Sequence, residues 1–318
     1  MTRVLVTGAS GFVGRALVNA LASQGHFVRA AMRQPADVFP REVEVVAVSD
    51  LARPIEWWPL LKNVDTVVHL AGIAHAGAPI PEETYDRVNR AATAELAAAA
   101  RKAGIRRLVF ASSIRAQSGP SASQELTEEL PAAPTDAYGR SKLAAEQAVR
   151  ESGTDFTILR PVLVYGENVK GNLATLLKLA QSPWPLPLSL FGNRRSIVAR
   201  DNLLSAIQFS LHSDATAGHT FIVADPASPT LAEIVAILRE ASGRPRNLFP
   251  VPPSLIGATL KAAGRGDMWE RMGCALVASP AKLIAAGWKP PVETRSGLAA
   301  MAQAASPRKS GTASRSTR

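Results

Sequence analysis

The chain is short of cysteine, of aromatic residues and of long apolar runs. Of its 318 residues only Cys274 is a cysteine. A disulfide framework is therefore excluded, and a cysteine-built metal cluster is not expected. Nothing in that usage argues against a reducing cytoplasm, which is the expected location. Aromatic residues make up 5% of the chain. They form no array with the basic residues and no recognition-helix pattern, so specific nucleic-acid binding is not expected. No stretch reaches the roughly 18 apolar residues of a membrane span. No charged region followed by an apolar core precedes the opening "RVLVTG", so no signal peptide is expected. No grouping of ligating side chains suggests a metal.

What is present is ample material for a core: 47% hydrophobic residues against 19% charged. The net charge is +10. The last eleven residues, "RKSGTASRSTR", carry four cations and no acid, so 304–318 reads as a disordered basic tail. The excess on the body suits an anionic substrate.

The first half alternates strand and helix patterns. "VLVTG", "FVRAAMR", "VEVVAV", "VDTVVHLAG", "RRLVFASS" and "DFTILRP" read as strands. Helical patterns separate them, the longest at 82–103 and 136–152. This is the rhythm of βαβ units, so the expected class is α/β: a Rossmann doubly wound parallel sheet with a smaller C-terminal substrate-binding part. Residues 1–166 are expected to form the nucleotide-binding domain. Residues 167–303 are expected to cover the substrate, with some elements returning to the sheet. Ligands of such sheets sit beyond the carboxyl ends of the strands.

"VTGASGFVG" places Gly8, Gly11 and Gly14 between the first strand and the first helix. Gly8 permits the tight turn, Gly11 lets a pyrophosphate approach the backbone, and Gly14 lets the helix pack close to the sheet. Free amides and the positive end of the helix dipole then hold phosphates. A second candidate is "AYGRSK", where Tyr138 and Lys142 stand at i and i+4 and share one side of a helix. Spacing alone leaves two readings open, an acid–base pair or an ordinary solvated face.

The Gly-x-x-Gly-x-x-Gly spacing with Thr7, followed in order by "SDL" at 49–51, "HLAG" at 69–72, "VN" at 88–89, "SS" at 112–113, "YGRSK" at 138–142 and "RPVLVYG" at 160–166, resembles the extended short-chain dehydrogenase/reductase family, NAD-dependent epimerase/dehydratase branch. "KGNL", "NRRS" and "RDNL" resemble its UDP-glucose 4-epimerase-like subgroup. The resemblance spans about residues 1–300. It implies that Tyr138 is the general acid/base, Lys142 its partner, and Ser113 a hydroxyl that aids proton movement at the sugar oxygen and contacts the substrate. Ser112 is the alternative serine. An ammonium and a nicotinamide beside Tyr138 are expected to lower its pKa, which for free tyrosine is about 10.

The resemblance also implies cofactor contacts from Thr7, Gly8, Gly11, Phe12, Val13, Gly14, Asp50, Leu51, Leu70, Ala71 and Gly72, together with Tyr138 and Lys142. Where NAD enzymes of this fold carry an acid at the end of the second strand, this chain has Met32 and then Arg33. A guanidinium there pairs with a 2′-phosphate, so the cofactor reading leans to NADP over NAD. Arg29, on the other strand face, is the weaker candidate. On the substrate side the resemblance implies diphosphate contacts from Asn172 and Arg195, with Arg194 as a competing register. Asn172 also reads as an N-cap. His69 reads as a core strand residue and His75 as a loop residue or sugar contact. Where the family usually has Val-Tyr-Gly, this chain has Ala116, Gln117 and Ser118.

The function these features imply is hydride transfer at C4 of a UDP-hexose or UDP-hexosamine. Arg33 leans the reading to an NADPH-dependent 4-keto reductase, with the 4-epimerase that the subgroup resemblance implies as the alternative. A catalytically silent NAD(P)-sensing protein is the alternative of another class. A homodimer through helices 82–103 and 136–152 is implied by the family.

Overall fold

The computed structural model describes residues 1–74, 80–266, 269 and 273–306. Its centre is a seven-stranded sheet, every pairing parallel, in the order β3-β2-β1-β4-β5-β6-β9. The strands are β1 (Arg3–Thr7), β2 (Phe27–Met32), β3 (Glu44–Ala47), β4 (Thr66–His69), β5 (Arg107–Ala111), β6 (Phe156–Pro161) and β9 (His219–Val223). β9 comes from the second half of the chain and forms one edge. A separate two-stranded parallel ribbon pairs β7 (Leu163–Tyr165) with β8 (Ile197–Ala199).

The inner strands are nearly continuous apolar runs because helices cover both faces. Alternate side chains enter opposite cores. Val4, Val6, Val68 and Val109 pack with Leu17, Val18 and Leu21 of α1 (Phe12–Ser23) and with Leu203 and Ile207 of α7 (Arg200–His212). Leu5, Val67, Leu108 and Phe110 pack with Leu96 of α4 (Ala92–Lys102) and with Ala145 and Val149 of α5 (Ala137–Glu151). α2 (Trp58–Leu61) and α3 (Glu82–Tyr85) are short. Between α3 and α4 the helix runs through a π-helical stretch, Asp86–Ala91, that turns Val88 and Asn89 inward. The long helix expected over 82–103 is thus one rod with an internal change of pitch, a feature that recurs at functional sites.

A third core belongs to the lobe after residue 166. It joins Leu173, Leu176 and Leu177 of α6 (Asn172–Ala180), Ile234, Val235 and Leu238 of α8 (Leu231–Ala241), and Leu298 and Met301 of the closing helix Thr294–Ala304. α9 (Pro253–Ala262) and a short helix, Ala281–Ala285, complete it. A buried knot ties this lobe to the sheet: Asp225 accepts from Tyr165 Oη at 2.8 Å, Asn202 Nδ2 at 2.7 Å and Ala199 N at 3.0 Å. Ala304 is still helical, so it does not belong to the tail expected from that residue. Residues 307–318 and His75 lie outside the described residues. No described helix is long and apolar enough to cross a membrane.

Candidate active site

Strand order reverses between β1 and β4, which pair Thr7 with His69 at their carboxyl ends. From there β1 leads to β2 on one side, while β4 leads to β5 on the other, so a crevice opens between the two turns. Gly8 has φ +70°, and a Cβ on it would stand 2.8 Å from Ala71 N. A Cβ on Gly14 would stand 2.2 Å from Gly8 O, so α1 can start close under the turn only with glycine there. Gly11 N donates to Gly8 O at 3.0 Å. Gly11 is also the N-cap of α1; it supplies no side-chain cap, and no acid lies in the first turn among the described residues. The first-turn amides, those of Phe12 and Val13 included, therefore point at a position suited to an anion. This cradle fits a dinucleotide pyrophosphate.

The walls of the crevice are set by a chain of hydrogen bonds. Thr93 Oγ1 donates its one proton to Asn89 O at 2.6 Å. It must then accept from His69 Nε2 at 2.9 Å. His69 Nδ1 is left to accept from Thr7 Oγ1 at 2.7 Å, and Thr7 Oγ1 accepts from Ala71 N at 3.3 Å. Burial, with help from the charge of Lys142, pushes the His69 pKa down to about 3, so the ring is neutral. His69 is a structural bridge, as a core strand residue would be, and Thr7 holds the two turns in register. Asn89 receives Ile73 N at 2.8 Å and donates to Ser141 Oγ at 3.1 Å, which fixes the loop after β4 against α5.

Tyr138 and Lys142 lie on the buried face of α5, with Ser141, Ala145, Glu146 and Val149. The pair is not a solvated helix face. Asp136 caps this helix, accepting from Gly139 N at 2.7 Å, and also pairs with Arg115. Ser113 starts the 3₁₀ turn Ile114–Ala116 and accepts from Arg115 N at 3.1 Å. Its side chain hydrogen-bonds Tyr138. Burial raises the Tyr138 pKa above its ordinary value; the Ser113 bond and the charge of Arg115 act in the opposite sense.

Here the structure differs from expectation. The cation that opposes the rise in the Tyr138 pKa is Arg115. Lys142 donates to Ala111 O at 2.9 Å and lies 4.7 Å from the centroid of the Phe110 ring. A Cβ on Gly72 would come within 3.6 Å of its Nζ. Lys142 thus stands on the cofactor side of the crevice, and burial lowers its pKa to about 8.

Below the pair lies a buried polar network. Glu146 accepts from Ser112 Oγ at 2.6 Å and from Arg160 Nε and Nη2 at 2.8 and 2.6 Å. Arg160 also donates to Gln117 Oε1, and Gln117 Nε2 donates to Leu130 O at 2.6 Å. Ser112 is therefore a framework residue, and Ser113 is the serine at Tyr138. Gln117 is turned into the framework.

Of the remaining cofactor candidates, Leu51 is buried, Leu70 and Ala71 are half-buried, and Gly72 is exposed. Asp50 is exposed and accepts from Ala52 N at 3.0 Å. Met32 is buried, and Arg33, just past β2, is exposed. Arg29 is engaged with Glu44 at 2.9 Å and with the carbonyls of Leu60 and Lys62, so it belongs to the framework.

Of the two adjacent arginines, Arg194 is exposed and donates to Ser228 O. Arg195 is half-buried, donating to Cys274 O at 2.7 Å and Pro120 O at 3.2 Å. Burial lowers its pKa, and the charge of Arg115 adds to the effect. Asn172 is the exposed first residue of α6. The cap position belongs to Gly171 at φ +68°, so Asn172 is not the N-cap.

Sequence reasoning passed over Arg115, Asp136 and Glu146, and gave no role to Asn89 and Arg160 within the motifs that contain them. The "Asp-Ala-Tyr-Gly" pattern could have shown Asp136 as a cap. The pairing of Arg160 with Glu146 carries no signal in spacing.

The model of the NAD dependent epimerase/dehydratase family matches residues 4–224. A UDP-glucose 4-epimerase of Vibrio cholerae is 33% identical over 312 residues, covering 95% of this chain and 94% of its own. Two solved structures share the fold, both with a TM-score of 0.76. One is the UDP-N-acetylglucosamine 4-epimerase of Bacillus cereus, 21% identical, covering 95% of this chain and 98% of its own. The other is the UDP-glucuronic acid 4-epimerase of Bacillus cereus in complex with NAD, 18% identical, covering 95% and 96%.

Proposed function

The chain belongs to the NAD dependent epimerase/dehydratase family, and on that premise we propose that it is a 4-epimerase of a UDP-linked hexose or hexosamine. The observation that carries this reading is Tyr138 in a dry site, bonded to Ser113, on the same helix face as Lys142 and beside a crevice with an anion cradle. The similarity to the Vibrio cholerae enzyme along nearly the whole chain supports it.

The bound dinucleotide would supply a hydride acceptor and donor. Gly8, Gly11, Gly14 and the first-turn amides of α1 would hold its pyrophosphate, and Lys142 its nicotinamide ribose. Once ionised to a phenolate, a form that the charge of Arg115 and a positive nicotinamide would favour, Tyr138 would take the proton of the sugar 4-hydroxyl as hydride leaves C4, and return it when hydride comes back to the opposite face. Ser113 donates to the same oxygen and keeps it in line. Arg195 and Asn172 would meet the diphosphate. A homodimer through the outer faces of α4 and α5 accompanies this reading; Ala98 and Gln147 are exposed there.

One observation favours a second reading. Arg33 is exposed just past β2, where an acid would repel a 2′-phosphate. NADPH used once per turnover fits a 4-keto reductase better than a cofactor that is regenerated in place. Stoichiometry separates the two. The epimerase interconverts UDP-glucose with UDP-galactose, or the N-acetylhexosamine pair, with no net change in the nicotinamide. Consumption of one NADPH per 4-keto UDP-sugar, without interconversion, would establish the reductase. In the same assay Arg33→Asp is expected to weaken NADP(H) about 10–100-fold and leave NAD unharmed, as loss of a charge-assisted contact requires.

A further inference from the structure

We propose that the lobe after residue 166 carries a docking surface for an anionic lipid bilayer. Four large apolar side chains stand in the open there: Trp184 at 73% exposure, Leu255 at 59%, Leu190 at 50% and Phe249 at 43%. Three of them lie on strips of chain joined by backbone pairing. Leu186 pairs with Leu248, and backbone bonds join Leu186 N to Asn247 O and Phe249 N to Leu186 O, both at 3.0 Å. This sets Trp184, Leu190 and Phe249 on adjoining strips of chain. α9 is fastened to the same strips: a Cβ on Gly257 would meet the Trp269 ring at 2.8 Å, and that ring lies edge-on to Phe191 at 6.2 Å. Leu255 is two residues from Gly257, on the opposite side of α9.

The patch is held from beneath. Arg239 is fully buried, and its guanidinium donates to the carbonyls of Ala180, Ser182, Trp184 and Pro245 at 2.8–3.3 Å. Pro183, Pro185 and Pro187 stiffen the loop further. Trp184 is presented on a braced loop, without the cover such a side chain receives in a core.

Charge selects the partner. Residues 241–266 contain four cations and no acid before Asp267, and Lys178 is exposed on α6. Glu240 of α8 pairs with Arg246 and Arg295. The closing helix of the same lobe leads to the eleven residues with four cations and no acid. Trp, Phe and Leu inside a cationic rim match an acyl boundary beneath anionic headgroups. A second copy of the chain fits poorly, since a two-fold contact would bring cations onto cations. A single-stranded nucleic acid would use the rings, but it leaves Leu190 and Leu255 without a role.

The proposal is independent of the reaction assigned above. The test is flotation of the full chain with phosphatidylcholine vesicles, with and without phosphatidylglycerol. Binding is expected only with phosphatidylglycerol, falling as salt is raised. The Trp184→Ser/Phe249→Ser double variant should bind at least about tenfold more weakly, with an unchanged melting temperature and unchanged turnover of a soluble UDP-sugar. A second variant, Arg244→Glu/Lys261→Glu, should lose binding while keeping both aromatic rings. Equal flotation of wild type and double variant would assign binding to the basic tail and overturn the proposal. So would indifference to phosphatidylglycerol, displacement by an oligonucleotide, or a concentration-dependent dimer abolished by the aromatic substitutions.

Discussion

In the proposed function, recognition at the β1–β4 crevice is built from backbone, and recognition in the lobe after residue 166 is built from side chains. The crevice uses Gly8, Gly11 and Gly14, an uncapped helix start and the short hydroxyl of Thr7, all within one turn of a strand end. The lobe uses Arg195, whose guanidinium is anchored on the carbonyls of Pro120 and Cys274, 75 and 79 residues away. The first design tolerates little change in shape and says little about which ligand variant it takes. The second can be re-aimed by loops without disturbing the sheet. Tyr138 sits where the two meet, bonded to Ser113 and under the charge of Arg115, which also acts on Arg195.

The contrast predicts a ladder of effects. The largest belongs to the junction: Tyr138→Phe should keep the fold and cofactor affinity and lower kcat by about 10²–10⁴, as loss of a general acid/base does. Steady-state rates beside a cofactor titration check both halves. Next comes the crevice. Gly14→Ala must push Gly8 O away from a 2.2 Å approach. Cofactor binding should weaken about 10–100-fold, the scale of an overpacked backbone contact of ~1–3 kcal/mol. Calorimetric titration with the dinucleotide reads it.

Lys142→Met separates function from stability at the same position. Turnover should be lost, yet the cofactor-free protein should gain about 1–3 kcal/mol near neutral pH, because a buried ammonium is removed. The sign follows from its pKa, lowered from 10.5 to about 8. Between those values the unfolded chain holds a proton that the folded chain has released, so wild-type stability rises with pH across the window. The difference between wild type and variant should shrink from pH 8 to pH 10.5 in denaturant melts. The smallest effect is expected in the lobe. Asn172→Ala should raise KM for the nucleotide sugar by up to about tenfold with kcat little changed, the scale of one exposed hydrogen bond. Initial rates over a range of substrate concentrations measure it.

The same contrast explains what could be read in the sequence. Parallel strands buried on both faces announce themselves as "VLVT", "TVVH" and "LVFA", and the glycine turn is local. The Tyr138–Lys142 pair was visible as a spacing, but its meaning needed the sheet that buries it. The roles within it were less legible. Lys142 was expected as the partner of Tyr138; the structure shows it donating to Ala111 O beside the Phe110 ring. Arg115 is held at this end of the site because its backbone turns with Ser113 and its side chain pairs with Asp136, 21 residues on. Glu146 and Arg160 form an ion pair across two elements, which no periodicity encodes. In the lobe, Asn172 satisfied the rule for a cap, but Gly171 took that position with a backbone that only glycine adopts easily.

The proposed reaction turns on Tyr138 moving the C4-hydroxyl proton as hydride leaves the sugar. Its most direct test is a single turnover: cofactor-loaded enzyme mixed with UDP-sugar, followed by the absorbance of reduced nicotinamide. Wild type should show a transient rise, and Tyr138→Phe the same rise slowed by about 10²–10⁴, with UDP raising the melting temperature of both proteins equally. A variant whose absorbance rises as fast as wild type would contradict the claim.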